Sequence, residues 1–288
     1  SALSVFEDRQ HRIWFGTAGG GLGRLRDNRL TTYGLPEGLA SDIVGPVLED
    51  REGRIWFGPR AGDHLQRIEQ GKMAALPLRG TPPCFHEDLD GPLWIGTPGH
   101  GLYRLATGQL TQWTTADGLP SRAVRAIVDD GEGGLWLGTP RGLVRFTNRP
   151  QTVYTTADGL LSDRVMALWR EPDGPLWIAT SRGLNRLENG RFTAYGPAQG
   201  LCDNQVLSIV DDRLGNLWMT SSRGLFHVQK RQLDELARGE RAEVACTMLG
   251  RGDGMESAQF NGGYQPSAWR AHDGRLWFPS VRGLVVVD

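Results

Sequence analysis

The sequence predicts an all-β fold, a seven-bladed β-propeller of four-stranded antiparallel blades in which the last blade lacks its outer strand. The first observation behind this prediction is a repeat. A motif close to Leu-Trp-Leu-Gly-Thr returns about every 41 residues, a period typical of propeller blades. It centres on seven of the ten tryptophans, namely Trp14, Trp56, Trp94, Trp136, Trp177, Trp218 and Trp277. The second observation is that glycines fall at fixed positions in each repeat, so no segment between them is long enough for a stable helix.

The fourth repeat gives the strands of one blade. Runs at 124–128, 135–137, 143–146 and 151–155 contain β-forming residues, and turn-forming residues separate them. Leu135 and Leu137 point to one side of the second strand and Trp136 to the other, because side chains alternate along a strand. A sheet that is apolar on both faces must be covered on both, and a ring of seven such sheets provides that cover.

One domain over residues 1–288 follows, with blades expected at about 1–38, 39–78, 79–118, 119–158, 159–200, 201–260 and 261–288. An insertion at 232–239 has helix-forming residues and ends in Gly, which predicts a short surface helix, and 243–249 is expected to form the outer strand of blade six. Because blade seven has only three predicted strands, we expect the chain to be a piece of a longer protein. Its exposed strand edge would allow pairing with a second copy as a homodimer.

Composition and charge exclude several classes of protein. The net charge is -1, from 32 basic and 33 acidic residues, so no overall field attracts nucleic acid or an anionic membrane. The sequence contains no apolar run long enough for a membrane segment, and we expect no signal peptide within it. Three cysteines are an odd number without metal-ligand spacing, so we expect no disulfide framework from Cys84, Cys202 and Cys246.

The repeats resemble a known family. The fifth repeat contains Ala-Asp-Gly-Leu at 157–160, Leu-Trp-Ile-Ala-Thr at 176–180 and Arg-Gly-Leu at 182–184. This pattern resembles the two-component regulator propeller repeat, and the stretch from 260 to 279 is similar to the last blade before the Ig-like domain of that family. The resemblance implies a periplasmic sensor region of a bacterial hybrid histidine kinase or diguanylate cyclase. It further implies a carbohydrate ligand, and Ig-like and kinase or cyclase modules as partners elsewhere in the parent protein.

Candidate ligand-binding residues lie on two faces of the predicted ring. The turns after the Trp strands and the connections between blades share one face, here called the connection face. It presents seven basic side chains: Arg60, His64, His100, Arg141, Arg182, Arg223 and Arg282. They would form a polar funnel for a small anionic or hydroxyl-rich ligand, such as an oligosaccharide, since Arg donates a planar fork of hydrogen bonds. Alternatively, the repeated arginines only shield the blade edges.

The turns after the inner strands form the opposite face, here called the Asp face. It presents a recurring aspartate at Asp8, Asp50, Asp88, Asp130 and Asp212. These carboxylates would either contribute to a site or cap each turn by accepting hydrogen bonds from backbone amides. Trp169 and Trp269 lie on inner strands, where an indole ring would stack on a sugar or fill the core.

No catalytic motif, metal or cofactor is predicted. His86 precedes two acidic residues, but the acidic residue recurs in the other blades, which favours a turn over a metal ligand. The six histidines are scattered in sequence, at His11, His64, His86, His100, His227 and His272. We therefore predict a non-catalytic sensing or interaction propeller. The alternatives are a metal-dependent propeller lyase of the streptogramin-inactivating type, which needs histidines and acidic groups at the channel mouth, and a pure scaffold.

Overall fold

The chain folds into seven antiparallel sheets, each built from strands that are consecutive in sequence. A computed structural model describes residues 1–88 and 90–288. Six sheets have four strands and the last has three. The predicted seven-bladed propeller with an incomplete last blade is therefore confirmed.

The first four blades have these strands. Blade one contains Ala2–Glu7 (β1), Ile13–Thr17 (β2), Leu22–Arg26 (β3) and Arg29–Tyr33 (β4). Blade two contains Val44–Glu49 (β5), Ile55–Pro59 (β6), His64–Glu69 (β7) and Lys72–Pro77 (β8). Blade three contains Cys84–Glu87 (β9), Leu93–Gly96 (β10), Leu102–Ala106 (β11) and Gln109–Trp113 (β12). Blade four contains Ala126–Asp129 (β13), Leu135–Thr139 (β14), Gly142–Phe146 (β15) and Pro150–Tyr154 (β16).

The remaining blades follow the same order. Blade five contains Val165–Arg170 (β17), Leu176–Thr180 (β18), Gly183–Glu188 (β19) and Arg191–Tyr195 (β20). Blade six contains Ser208–Asp211 (β21), Asn216–Thr220 (β22), Leu225–Gln229 (β23) and Cys246–Leu249 (β24). Blade seven contains Trp269–Arg270 (β25), Leu276–Ser280 (β26) and Gly283–Val287 (β27). Short 3-10 turns occupy connections after strands, at Leu35–Glu37, Thr115–Asp117, Thr156–Asp158, Pro197–Gln199 and Arg251–Asp253.

Each blade is covered on both faces by its neighbours, as the alternation of the Trp strand predicts. Leu135 and Leu137 of β14 belong to a buried cluster that includes Trp94 of blade three. Trp136, on the opposite side of the same strand, packs against a cluster that includes Leu168 of blade five. The core is therefore a series of layers between blades, and each second strand contributes to two of them.

The glycine after the Trp strand allows neighbouring inner strands to approach closely. A Cβ on Gly16 would lie 2.3 Å from the backbone oxygen of Gly45 in the inner strand of blade two. A Cβ on Gly138 would lie 2.8 Å from the Val165 side chain of blade five. Steric contact between blades thus explains why the repeat carries glycine at this position.

The insertion between blades six and seven contains a helix, Lys230–Ala237 (α1), as predicted from the run at 232–239. Leu233 is fully buried, and the Tyr195 hydroxyl donates a hydrogen bond to its backbone oxygen at 2.9 Å. The helix therefore packs against blade five and precedes β24, the outer strand of blade six. Within the described residues, no helix has the length and apolar character needed to span a bilayer.

A disulfide joins Cys202 to Cys246. The expectation that the cysteines form no disulfide was wrong. Cys202 follows the last strand of blade five, and Cys246 begins the outer strand of blade six, so the bond ties this connection to the rim of the next blade. Cys84 is free and fully buried.

Candidate functional site

The predicted arginines of the connection face occupy equivalent positions in tight turns. Arg141 donates its backbone N–H to the Thr139 hydroxyl at 3.0 Å, and Arg182 does the same with Thr180 at 3.1 Å. The backbone N–H groups of Arg223 and Arg282 donate in the same way to a serine hydroxyl two residues earlier. All four arginines are exposed, and each of blades four to seven contains one of them. The hydroxyl two residues earlier thus organises the backbone of each turn and directs the arginine side chain into solvent.

Arg223 already has a carboxylate partner. Its Nε donates to Asp203 Oδ2 at 2.9 Å, and its guanidinium also reaches the backbone oxygen of Cys202. Burial by itself would raise the pKa of Asp203, but the hydrogen bonds from Arg223 and Ser221 outweigh it and hold that pKa below its ordinary value. The hydrogen bond with Asp203 raises the pKa of Arg223. Arg223 therefore holds the connection between blades five and six, which also contains the disulfide-bonded Cys202, against blade six.

The remaining predicted residues of the connection face lie in blades two and three. Arg60 and His100 are exposed, and half-buried His64 begins β7. The backbone N–H of Arg60 donates to the Ile43 oxygen at 2.8 Å, and that of His100 donates to Thr97 Oγ1 at 3.0 Å. Across residues 1–88 and 90–288, no hydrogen bond or ion pair joins any two of the eight residues predicted to bind ligand.

Trp169 lies on the opposite face. It pairs with Trp177 across β17 and β18, one residue before β17 ends and two before the turn residue Glu171. This places its ring toward the Asp face, whereas the predicted arginines and histidines are on the connection face. The set of residues predicted from sequence is therefore divided between two faces of the ring.

The recurring aspartates cap the turns of the Asp face. Asp50 Oδ1 accepts hydrogen bonds from the backbone N–H groups of Glu52 and Arg54, at 3.0 and 2.9 Å. Its Oδ2 accepts from the indole Nε1 of Trp56 at 2.6 Å and from Arg54 Nε. The same arrangement recurs at Asp8 with Trp14 and at Asp212 with Trp218. The structural interpretation of these aspartates is confirmed, and the bond also fixes the position of the repeated tryptophan.

These bonds lower the pKa of two of the aspartates, Asp50 and Asp212. Burial favours the neutral acid and would raise the pKa of Asp50, but hydrogen bonds from Trp56 and Arg54 favour the carboxylate and lower it. The same balance lowers the pKa of Asp212. Two blades have another residue at this position, Glu171 in blade five and Ala271 in blade seven. In the described part of the chain, the buried indole N–H groups of Trp177 and Trp277 have no hydrogen-bond partner.

The segment before blade seven closes the central channel. Gln265 donates its backbone N–H to the Pro83 oxygen of blade three at 2.8 Å. Its side-chain amide exchanges two hydrogen bonds with the backbone of Ile127 in blade four, at 2.7 and 2.8 Å. The Val5 N–H of blade one donates to the Pro266 oxygen at 3.2 Å. These contacts join three inner strands across the axis of the ring.

A cavity of about 420 Å³ opens beside this segment on the Asp face, between the inner strands of blades four to seven, and is here called the mouth cavity. Gln265 and Pro266 form one wall. The side chains relevant to binding are Trp169, Arg170, Asp211, Arg213, Trp269 and Arg270. Two tryptophans with several charged groups at one concave site are typical of a small-molecule pocket.

The polar groups of the mouth cavity differ in how far they are already paired. Arg170 pairs with Asp129 at 2.6 Å, and Arg270 Nε donates to the Asp212 backbone oxygen at 3.1 Å. Arg213 is exposed at the rim. The buried indole N–H of Trp269 has no partner within residues 1–88 and 90–288. That N–H is enclosed by protein, where the Trp269 ring packs against Phe6 of blade one, so the exposed cation of the cavity is Arg213.

Lys230 approaches the Trp169 ring from helix α1. Its Nζ lies 5.8 Å from the ring centroid, pairs with Glu171, and lies 3.3 Å from Asp211 Oδ2. Burial would lower the pKa of Lys230, but the two carboxylates outweigh it and raise that pKa. One face of Trp169 is therefore held by a cation, and the ring is fixed in place where it borders the cavity.

Two histidines that are far apart in sequence come together in the structure. The rings of His11 and His272 stack with centroids 3.6 Å apart, and both lie close to Glu7. The histidines are scattered in sequence, but ring closure brings this pair together away from the mouth cavity. His86 is largely buried, which lowers its pKa, and His227 packs on Trp218. Among the described residues that line the mouth cavity there is no histidine.

The comparison with protein families supports the resemblance found in the repeats. The model of a family described as "Two component regulator propeller" matches residues 118–141, which lie between the outer strand of blade three and the Trp-strand turn of blade four. The resemblance to this repeat family is confirmed. The comparison with curated proteins finds no match.

Solved structures share the fold. The extracellular domain of BT3049 from B. thetaiotaomicron, described as a hybrid two component system, has a TM-score of 0.84 and 23% sequence identity, and the match covers 99% of this chain and 38% of that one. This chain thus spans well under half of that domain. A streptogramin B lyase matches with a TM-score of 0.74 at 16% identity, covering 100% of this chain and 93% of the lyase. A virginiamycin B lyase from Staphylococcus aureus, solved with quinupristin, matches with a TM-score of 0.71 at 16% identity, covering 99% and 93%.

Proposed function

We propose that this chain, a propeller of two-component regulator repeats, is the extracytoplasmic ligand-sensing part of a bacterial two-component signalling protein and that it is not a catalyst. The observation that carries the proposal is the mouth cavity, which is lined by Trp169, Trp269 and several charged side chains. The signal would pass to Ig-like and kinase or cyclase modules of the parent protein, which lie outside this chain.

The ligand class follows from the lining of the cavity. A tryptophan ring presents a flat apolar surface to the C–H face of a sugar, and Trp169 borders the cavity. Asp211 would accept from sugar hydroxyls, and exposed Arg213 would favour a carboxylate or sulfate on the ligand. An oligosaccharide, neutral or acidic, satisfies these groups. The volume of about 420 Å³ is in the usual range for small-molecule sites.

The disulfide supports a location outside the cytoplasm. Disulfides persist in oxidising compartments such as the periplasm and are rare in the cytosol of most bacteria. The bond between Cys202 and Cys246 is accordingly what a periplasmic domain would carry. We therefore propose the periplasm as the location of this chain within a membrane-anchored parent protein.

A thermal-shift screen tests the proposal. The purified chain is heated with neutral oligosaccharides, acidic oligosaccharides and small organic anions. A ligand at about 100 times its dissociation constant adds roughly 2.7 kcal/mol of stability, which raises the unfolding midpoint of a chain of this size by roughly 5–10 °C. We expect a saccharide to produce this shift in the wild type.

Two exposed arginines provide a matched pair of variants. Arg213→Ala removes a cation from the mouth cavity, whereas Arg182→Ala removes one from the connection face. The saccharide shift should decrease in Arg213→Ala and in Trp169→Ala, each measured against its own ligand-free midpoint, and persist in Arg182→Ala. The reverse result would place the ligand among the connection-face arginines. A wild type that shifts with no member of the panel would contradict sensing of these ligands and favour a scaffold.

The lyase alternative has a separate test. The likeness to the lyases extends to the fold, and the lining of the mouth cavity supplies no histidine as a general base within the described residues. Incubation with a streptogramin B and Mg²⁺ should leave the antibiotic intact by mass spectrometry. Linearised product above the no-enzyme control would overturn the non-catalytic assignment.

A further inference from the structure

The seam between blades seven and one differs from the seams that follow it. The backbone N–H of Arg9 in blade one donates to Glu49 of blade two at 2.8 Å, and Arg51 makes the equivalent contact with blade three. At the seam from blade seven to blade one, the same positions hold His272 and Glu7. The His272 N–H donates to Glu7 Oε2 at 2.8 Å, and its Nδ1 lies 2.5 Å from Oε1. An imidazole therefore stands where neighbouring seams have a guanidinium.

A second histidine departs from the repeat at the same place. His11 aligns with a glycine in each of the other six repeats: Gly53, Gly91, Gly133, Gly174, Gly215 and Gly274. His11 nevertheless has a backbone φ of 59°, in the left-handed region that favours glycine. This conformation holds its ring against His272, with Nδ1 3.4 Å from Glu7 Oε1. Two deviations from the repeat therefore converge on one carboxylate, and backbone strain at such a point is a feature of functional sites.

The three side chains have the composition and spacing of a metal site. Their ligand atoms, two imidazole nitrogens and a carboxylate oxygen, all lie within 4.8 Å of one another. Ligands at the zinc distances of about 2.0–2.1 Å in a tetrahedron are about 3.3 Å apart, close to the 3.4 Å between His11 and Glu7. The 2.5 Å between His272 and Glu7 would lengthen by about 0.8 Å when the metal replaces their hydrogen bond. We propose that Glu7, His11 and His272 form a divalent transition-metal site, of the class that takes Zn²⁺, which fastens the last blade of the ring to the first.

The surroundings are compatible with this assignment. The Glu7 side chain is only 9% exposed, and the backbone N–H of His272 donates a hydrogen bond to its Oε2. Metal-binding carboxylates are usually oriented by such outer hydrogen bonds. The half-exposed imidazoles leave a fourth position open to water. The nearby guanidiniums of Arg12 and Arg275 are each paired with an aspartate, Asp8 and Asp273 respectively, so their charges are largely balanced.

Metal titration of the full chain tests the site. The protein is first dialysed against a chelator and then titrated with ZnCl₂, and separately with MgCl₂, by calorimetry. We expect one zinc ion per chain, and no comparable heat from Mg²⁺, which prefers oxygen ligands. Zinc should also raise the thermal midpoint, and chelator should reverse that rise. Free Cys84 is fully buried, and burial raises the pKa of its thiol, so it does not compete for the ion.

Two variants restore the residues of the other repeats and are therefore expected to fold. His11→Gly introduces the repeat glycine, and His272→Arg introduces the arginine found at neighbouring seams. Each should weaken zinc binding by at least about tenfold, a typical effect of losing a metal-site residue. His100→Ala, which removes an exposed histidine on the connection face, is the control and should bind as the wild type does. Absence of zinc binding in the wild type, or unchanged binding in both seam variants, would refute the site.

Discussion

Loss of the carboxylate of Asp50 should destabilise the protein strongly. In Asp50→Ala, the Trp56 indole N–H and the backbone N–H of Arg54 both lose their acceptor, and Trp56 is only 2% exposed. A buried donor left without a partner costs about 1–3 kcal/mol, so two such donors together cost about 2–6 kcal/mol. We expect the free energy of unfolding to decrease by that amount.

Urea denaturation followed by tryptophan fluorescence measures this loss, with Asp273→Ala as the matched control. Asp273 accepts hydrogen bonds from the backbone N–H and Nε of Arg275. It is partly exposed and, among the residues that the structure describes, it is bonded to no tryptophan. Its loss should cost less than about 1 kcal/mol, as expected at an exposed site. If the two variants differed by less than about 1 kcal/mol, the bond from aspartate to tryptophan would not be what stabilises the blade.

Three further predictions concern stability. Ala271→Asp should give the unpartnered indole of Trp277 an acceptor and add about 1 kcal/mol, measured by the same denaturation. Reduction of the bond between Cys202 and Cys246, which are 44 residues apart, should lower the free energy of unfolding by about 3–4 kcal/mol, seen as a lower thermal midpoint in reductant; an equal midpoint would contradict it. Aspartates with lowered pKa stabilise the fold above the unfolded carboxyl pKa of about 3.9 and lose this effect as pH falls through their folded pKa. The urea midpoint should therefore decrease between about pH 5 and pH 2, and less so in Asp50→Asn; the carboxylates concerned are Asp50, Asp203 and Asp212.

The sequence was sufficient for the architecture because the determinants of a blade are local. The alternation of Leu135, Trp136 and Leu137 requires cover on both faces, and the fixed period supplies the same surface to the next blade. Helix α1 was predictable for the same reason, since its composition and the glycine after it are contiguous. The bond from the turn aspartate to the tryptophan in blades one, two, three and six was not predicted, although the constant spacing of six residues, as between Asp50 and Trp56, contains that signal.

The sequence was less informative where ring closure brings distant segments together. Cys202 and Cys246 pair because the connection after blade five packs on the outer strand of blade six, which a count of cysteines does not reveal. His11 and His272 meet only because the ring joins its last blade to its first. The position of Trp169 was within reach, since a residue two places before the turn residue Glu171 must lie toward the Asp face.

The strain at His11 leads to a prediction that separates a ligand from a structural residue. An L-residue in the left-handed region costs about 1–2 kcal/mol, so His11→Gly should make the metal-free protein more stable by roughly 1 kcal/mol. Asn28→Gly is the control, because Asn28 has a similar φ of 58° and asparagine tolerates this region, so the gain there should be smaller. The contact between His11 and Glu7 is exposed on the histidine side and offsets little of the gain.

Chemical denaturation in chelator measures both variants. If His11→Gly is less stable than the wild type without metal, the stacked imidazole serves the fold, and the reason for assigning it to a metal disappears. If it is more stable, blade one retains a histidine at a cost to the metal-free fold, and a ligand that binds only the native ring can offset that cost.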